Sequence, residues 1–221
     1  MQHFKVAVFD VDGTLLDTSE GVLSSVIYTI KKHNLPAIDE KTLRTFIGPP
    51  IQDSFARVYG IQGNILQELA TTFRNQYKDN DLLKAVPYDG IYKVFDALIA
   101  EGIKPAIATY KRQDYATIIM NYFGFNKYTD IIYGADHENK LKKRDIIEIA
   151  LKDCGCFDYS QAVMIGDSDN DAIGAAAIGT KFVGVTYGFG FKSKEDVGKY
   201  ANIGIATTTD EIIPYLIGGL R

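Results

Sequence analysis

Six short apolar runs punctuate the chain, at 6–9, 106–108, 131–133, 162–165, 182–185 and 203–206. Each is too short for a helix and is bounded by Gly, Asp, Thr or Pro, the pattern of strands buried on both faces. Helical spacing fills most of the intervals. Ile91, Val94, Phe95, Leu98 and Ile99 recur at three and four residues before Gly102, and Ile118, Ile119, Tyr122 and Phe123 do so before Gly124. Ile146, Ile147, Ala150 and Leu151 form a third stripe, and Ala172, Ala175 and Ala176 a fourth that stops at Gly179. Strands alternating with helices predict an α/β fold with a mostly parallel sheet covered on both faces. Right-handed crossovers make the Rossmann-like, doubly wound order 3-2-1-4-5-6 the simplest arrangement. In that order strands 1 and 4 are neighbours at the switch point, where open α/β sheets bind ligands.

One interval breaks the alternation. From 17 to 85 there is no strand run, while Val22, Val26, Ile27 and Ile30 share one helix face and Leu66, Leu69, Ala70 and Phe73 another. Gly48-Pro49-Pro50 interrupts the helical pattern between them. This predicts an all-helical domain at 17–85, inserted after strand 1 of an α/β core made of 1–16 and 86–221.

Composition narrows the picture. The 221 residues suit one α/β domain carrying such an insert. With 24 Lys and Arg against 28 Asp and Glu, the net charge is −4, which argues against a nucleic-acid partner. The first apolar run is stopped by Asp10 after four residues, so neither a membrane span nor a signal peptide is expected there, and a cytoplasmic location is. Cys154 and Cys156 read as two reduced thiols rather than a disulfide framework. A zinc site would need about four ligands, and only His3, His33 and His137, none nearby in sequence, could supplement the pair.

The chemistry gathers at the strand ends. Strand 1 runs into Asp10-Val11-Asp12-Gly13-Thr14, strand 2 into Thr109, and strand 4 into Gly166-Asp167-Ser168-Asp169-Asn170-Asp171. A lone Asp after a strand is usually a cap or turn residue. Two acidic clusters on adjacent strand ends instead bring Asp10, Asp12 and Asp167 together, and such carboxylates need a cation. A hard ion such as Mg²⁺ suits them best. An EF-hand reading of 167–171 fails, because Ala172 stands where the loop needs Gly and Ile178 where it needs Glu.

These residues resemble the haloacid dehalogenase superfamily of phosphohydrolases. Asp10-Val11-Asp12-Gly13-Thr14-Leu15-Leu16-Asp17-Thr18 is similar to its first motif, Thr109 to its second, a Lys ahead of a helix to its third, and Gly166–Asp171 to its fourth. Gly48-Pro49-Pro50, Tyr88-Asp89-Gly90 and Val185-Thr186-Tyr187-Gly188-Phe189-Gly190 resemble the phosphoglycolate-phosphatase-like branch, in which the helical insert is a cap. The resemblance implies Asp10 as nucleophile, forming an aspartyl phosphate, and Asp12 as general acid and then base. It implies Mg²⁺ held by Asp10, the backbone carbonyl of Asp12 and Asp167, with Asp171 binding a metal-bound water or orienting the lysine. Thr109, Lys143 and backbone N–H groups of the turn at Gly13 would hold the phosphoryl oxygens.

Lys143 is the lysine chosen among Lys140, Lys142 and Lys143, because it opens the pattern Lys-x-x-Ile-Ile 24 residues before Asp167. Two departures stand out: no proline follows Lys143, and Tyr110 occupies a position where the family more often has a small polar residue. Tyr110 is counted on the phosphate side of the site, with packing against the cap as its alternative. The implied activity is Mg²⁺-dependent hydrolysis of a small phosphorylated metabolite by a monomer or homodimer. Phosphoglycolate leads, with 5'-nucleotidase, sugar-phosphate phosphatase and pyrophosphatase as alternatives. Arg44, Arg57 and Tyr59 of the insert are candidate contacts to the leaving group. The rival classes are a phospho-accepting receiver domain, which places its acceptor after a middle strand in about half this length, and an inactive binding module on the same fold.

Overall fold

The computed structural model describes residues 4–136 and 140–217. In chain order it begins with β1 (Val6–Phe9) and β2 (Leu16–Asp17), followed by helices α1 (Ser19–Lys32), α2 (Glu40–Arg44), α3 (Ile51–Tyr59) and α4 (Asn64–Gln76). Then come β3 (Val86–Pro87), α5 (Ile91–Ala100), β4 (Lys104–Arg112), α6 (Gln113–Tyr122), β5 (Ile132–Ala135) and α7 (Lys143–Asp153). The chain continues through β6 (Ala162–Gly166), α8 (Asp169–Ile178), β7 (Lys181–Val185), α9 (Lys194–Gly198), β8 (Gly204–Ala206) and α10 (Ile213–Leu216). It divides into two compact units, Met1–Asp17 with Pro87–Arg221, and Thr18–Val86.

The first unit is built on a six-stranded sheet in the order β5-β4-β1-β6-β7-β8, which is the predicted 3-2-1-4-5-6. All its pairings are parallel. β1 is central: Phe9 lies opposite Ile107 of β4 on one side and Ile165 of β6 on the other. Its four residues are buried on both faces, as a strand covered by helices requires. One side of the core stacks Phe9 on Phe95 of α5, with ring centroids 4.8 Å apart, and seats Phe125 edge-on against Phe95. The other gathers Val8, Met164, Ile146, Ile147, Ala172 and Phe182. β4 departs from expectation. Its apolar run is 106–108, yet the strand continues through Thr109-Tyr110-Lys111 to Arg112, with a register shift against β5 between Ala108 and Arg112. That extension carries polar side chains past the sheet's rim.

The second unit is helical. Val22, Val26 and Ile30 of α1, Phe55 of α3 and Leu69 and Ala70 of α4 are buried, but Ile27, predicted on the same α1 face, is 38% exposed, and Leu66 and Phe73 are half-buried. Gly48-Pro49-Pro50 immediately precedes α3. An unpredicted π-helical turn, Tyr77–Asp81, follows α4. It turns Asp81 inward, where the side chains of Ser25 (2.8 Å), Ser24 (3.2 Å) and Gln76 (3.0 Å) donate to it and Lys84 pairs with it at 2.7 Å. Burial opposes the charge, but these donors outweigh it and hold the carboxyl below the ordinary range. Among the described residues no helix is long and apolar enough to cross a membrane.

Candidate active site

β1 ends at Phe9 and β6 at Gly166, so Asp10 and Asp167 are the first residues beyond two neighbouring strands. The Asp10 N–H donates to the carbonyl of Ile165 at 3.0 Å, which fixes the start of its loop. Asp171 comes from the first turn of α8, where it closes a capping box with Ser168. Carboxylate oxygens of Asp10, Asp167 and Asp171 lie within 4.8 Å of one another, all buried. Lys143 reaches them from the first turn of α7, its Nζ 2.7 Å from Asp10 Oδ1 and 2.7 Å from Asp171 Oδ1. Three carboxylates against one ammonium leave two uncompensated negative charges in a buried space. The strain shows in the titration of the cluster. Burial, then the neighbouring carboxylates, raise Asp10 to about 6 even against the pull of Lys143. Burial, with Asp171 and Asp10 beside it, raises Asp167 to about 7. For Lys143, burial would lower the value, but Asp10 and Asp171 outweigh it and hold the ammonium charged. A hard divalent cation on these oxygen donors would restore neutrality, so the residues present fit such an ion.

Asp12 stands beside this cluster, and its charge is one of those that raise Asp10. Its carboxylate pairs with Lys111 Nζ at 3.1 Å, and the Lys111 side chain is only 6% exposed. Nothing local in the sequence announces a lysine with an enclosed side chain on a strand that outruns its apolar run. Thr109 is buried and accepts the Lys111 N–H on Oγ1 at 3.1 Å; it does not cap α6, which starts after Arg112 without a side-chain cap. Asp171, expected to bind a metal-bound water or orient the lysine, contacts the Lys143 ammonium at 2.7 Å. Gly13 requires a correction. Its N–H was expected to face phosphate, but it donates to the Leu16 carbonyl at 2.9 Å and is spent within the turn. What the site needs from Gly13 is its missing side chain: φ is +78°, and a Cβ would lie 2.2 Å from Asp167 Oδ2.

The Tyr187–Gly190 segment carried a family likeness in the sequence but no role. It wraps Asp167. The N–H groups of Phe189 (2.6 Å) and Gly190 (2.9 Å) donate to Asp167 Oδ2, and the Phe191 N–H reaches the Asp167 carbonyl at 2.7 Å. Tyr187 ties the loop to the first motif by donating its hydroxyl to the Thr14 carbonyl at 2.9 Å. Gly188 makes the approach possible, since a Cβ there would meet the Gly13 carbonyl at 2.1 Å. Two glycines flanking one aromatic after a buried strand are the signal that could have located this loop.

Elsewhere the candidate residues are committed locally. In the helical unit Arg44 pairs with Glu40, Arg57 donates to the carbonyl and hydroxyl of Thr45, and Tyr59 donates to the Pro36 carbonyl. Cys154 and Cys156 are buried free thiols; burial pushes Cys154 up to about 11 and Cys156 upward as well, so neither is poised as a thiolate. His33 pairs with Thr72, and His3 and His137 lie outside the described residues.

Known proteins are similar to this chain in sequence and fold. The chain is 31% identical over 183 residues to a 5'-nucleotidase of Pseudomonas aeruginosa, a match spanning 83% of each. It is 28% identical over 222 residues to a phosphoglycolate phosphatase of Colwellia psychrerythraea, covering 96% of this chain and 97% of that one. The crystal structure of a predicted phosphatase from Clostridium acetobutylicum superposes with a TM-score of 0.88 at 30% identity, covering 97% of this chain and 99% of the other. A model of the family described as haloacid dehalogenase-like hydrolase matches residues 7–185, which include the whole helical unit and Asp10, Asp12, Thr109, Lys143, Asp167 and Asp171. The chain belongs to the haloacid dehalogenase-like hydrolases.

Proposed function

We propose that this hydrolase is a Mg²⁺-dependent phosphatase that cleaves phosphomonoesters of small metabolites through an aspartyl phosphate on Asp10. The observation that carries the reading is the buried cluster in which Lys143 bridges Asp10 and Asp171 while Asp167 stands beside them. Its two uncompensated charges call for a divalent cation. Asp10 and Asp167, with the Asp12 carbonyl, would hold Mg²⁺, which when bound neutralises phosphoryl charge. The Asp10 carboxylate attacks phosphorus in line, the bond to the leaving oxygen breaks, and Asp12 delivers its proton to that oxygen. In the second half Asp12 takes a proton from water, whose oxygen attacks phosphorus and releases Asp10. Lys143 and Thr109 hold the phosphoryl oxygens, and the ammonium offsets charge on Asp10 as the phosphoryl group approaches. Lys111 orients Asp12 from the far side. We assign the α/β unit as the catalytic domain and the helical unit as the cap domain.

Phosphoglycolate leads the substrates proposed, with nucleotides, sugar phosphates and pyrophosphate as alternatives. The differing names of the two curated relatives support the reaction class rather than one substrate. The test is turnover of a generic aryl phosphate. Excess EDTA should abolish it and added Mg²⁺ restore it, and full activity in excess chelator overturns the proposal. A screen of phosphorylated metabolites then ranks the substrates.

A further inference from the structure

Tyr110, which departs from the small polar residue that the family resemblance implies, makes a contact with the start of α7 in the structure. Lys143 is the first residue of α7, so its N–H is one of the donors a helix leaves without an internal partner. The Tyr110 hydroxyl accepts it at 2.8 Å, across 33 residues of sequence. The Tyr110 ring also lies 5.7 Å from Lys143 Nζ, alongside the side chain. The other flank is supplied by α8: a Cβ on Gly174 would meet Lys143 Cβ and Cγ at 3.1 Å, so the glycine leaves only the width of the stem. A lysine stem has four rotatable bonds and a mobile point charge at its tip. Here the backbone is anchored at one end by Tyr110, the stem runs between a ring and a glycine, and the ammonium is fixed at the other end by Asp10 and Asp171. Tyr110 belongs to the polar extension of β4 that also carries Thr109 and Lys111, so one strand end sets three parts of the site.

We infer that Tyr110 is a positioning residue for Lys143: its hydroxyl anchors the start of α7 and its ring confines the stem, so that the ammonium stays on Asp10. The inference rests on the catalytic reading of Lys143 given above, but its geometric half can be measured without turnover. It assigns Tyr110 to the lysine rather than to the phosphate, the role expected from sequence.

Tyr110→Phe removes the hydroxyl and keeps the ring, so the fold is preserved. Two readouts follow. Exchange of the Lys143 amide hydrogen, followed by NMR, should be slow in the wild type and at least tenfold faster in Tyr110→Phe; equal rates overturn the inference whether or not the protein is a phosphatase. In turnover of an aryl phosphate, Tyr110→Phe should lower kcat about three- to tenfold, the size expected for one neutral hydrogen bond. In a Lys143→Ala background the same change should have no further effect. An equal loss in both backgrounds means that Tyr110 acts on the substrate directly and overturns the positioning role. Absence of any wild-type turnover condemns the phosphatase reading, while the amide exchange still decides the contact. Tyr110→Asn, which removes ring and hydroxyl together, should lose more than Tyr110→Phe; a smaller loss contradicts confinement by the ring.

Discussion

Replacing Lys143 by alanine removes the ammonium that contacts the buried carboxylates of Asp10 and Asp171. The side chain is 3% exposed, and its Nζ sits 2.7 Å from both Asp10 and Asp171. Breaking a buried ion pair from one side costs about 3–5 kcal/mol, because the charge left behind has lost its partner. Two carboxylates are stranded here, so the cation-free Lys143→Ala protein should melt well below the wild type. Mg²⁺ should recover much of the difference by supplying the missing positive charge. Catalysis should not recover with it. Loss of a preorganised donor to developing charge costs about 10²–10³ in rate, or roughly 3–4 kcal/mol. Lys140→Ala and Lys142→Ala provide the internal control. Both side chains are exposed, and changes there should stay within about 0.5 kcal/mol in stability. Lys143→Arg should not rescue fully, since a planar fork cannot occupy the space of a compact ammonium held 2.7 Å from both Asp10 and Asp171. The assay is initial-rate turnover of an aryl phosphate by the four variants, with melting curves in EDTA and in Mg²⁺. If Lys143→Ala stays within about threefold of wild type while Lys140→Ala or Lys142→Ala collapses, the electrostatic account of the site is wrong.

The two aspartates of the first motif should separate cleanly. Asp10→Asn should form no phosphoenzyme, whereas Asp12→Asn should slow turnover severely yet keep the Mg²⁺-induced rise in melting temperature, because its carboxylate pairs with Lys111 and only its backbone carbonyl is proposed to hold the ion. The pH dependence of Mg²⁺ binding carries a definite sign. Without the cation, Asp10 is raised to about 6 and Asp167 to about 7, so protons compete for the same oxygens. Affinity measured by calorimetry should be full above about pH 8 and should fall as the pH drops through about 7 and 6, higher than for ordinary carboxylates. The linked stability runs the other way. Folded-state values above the unfolded 3.8 mean that these two groups destabilise the cation-free fold above about pH 7, and that this cost is relieved as pH falls toward 4. A Mg²⁺-induced melting shift of equal size at about pH 8 and pH 5.5 would contradict both statements.

Much of this was legible in the chain because burial imposes periodicity. The six sheet strands contain runs of Val, Ile, Phe and Ala that only a doubly covered sheet tolerates, and right-handed crossovers then fixed their order. Lys143 was identifiable because it opens the pattern Lys-x-x-Ile-Ile 24 residues before Asp167; α7 indeed begins there, with Ile146 and Ile147 buried, whereas Lys140 and Lys142 precede the helix. The unread parts depend on contacts that no local pattern encodes. The polar end of β4 looks like a turn in sequence; it stays extended while Lys111 is drawn to Asp12 and Tyr110 to the first turn of α7. The π-helical turn at Tyr77–Asp81 reads as a solvated Lys-Asp-Asn-Asp stretch until Ser24, Ser25, Gln76 and Lys84 are seen converging on Asp81. The family resemblance directs the Gly13 N–H toward phosphate, but the tight return of the chain at Leu16 takes it.

The most direct measurement is acid quenching of the enzyme during turnover of a radiolabelled aryl phosphate in Mg²⁺, followed by peptide mapping. The account predicts a covalent label on the peptide containing Asp10, absent in Asp10→Asn and absent when EDTA replaces Mg²⁺. Label on another residue, or undiminished hydrolysis by Asp10→Asn, would contradict it.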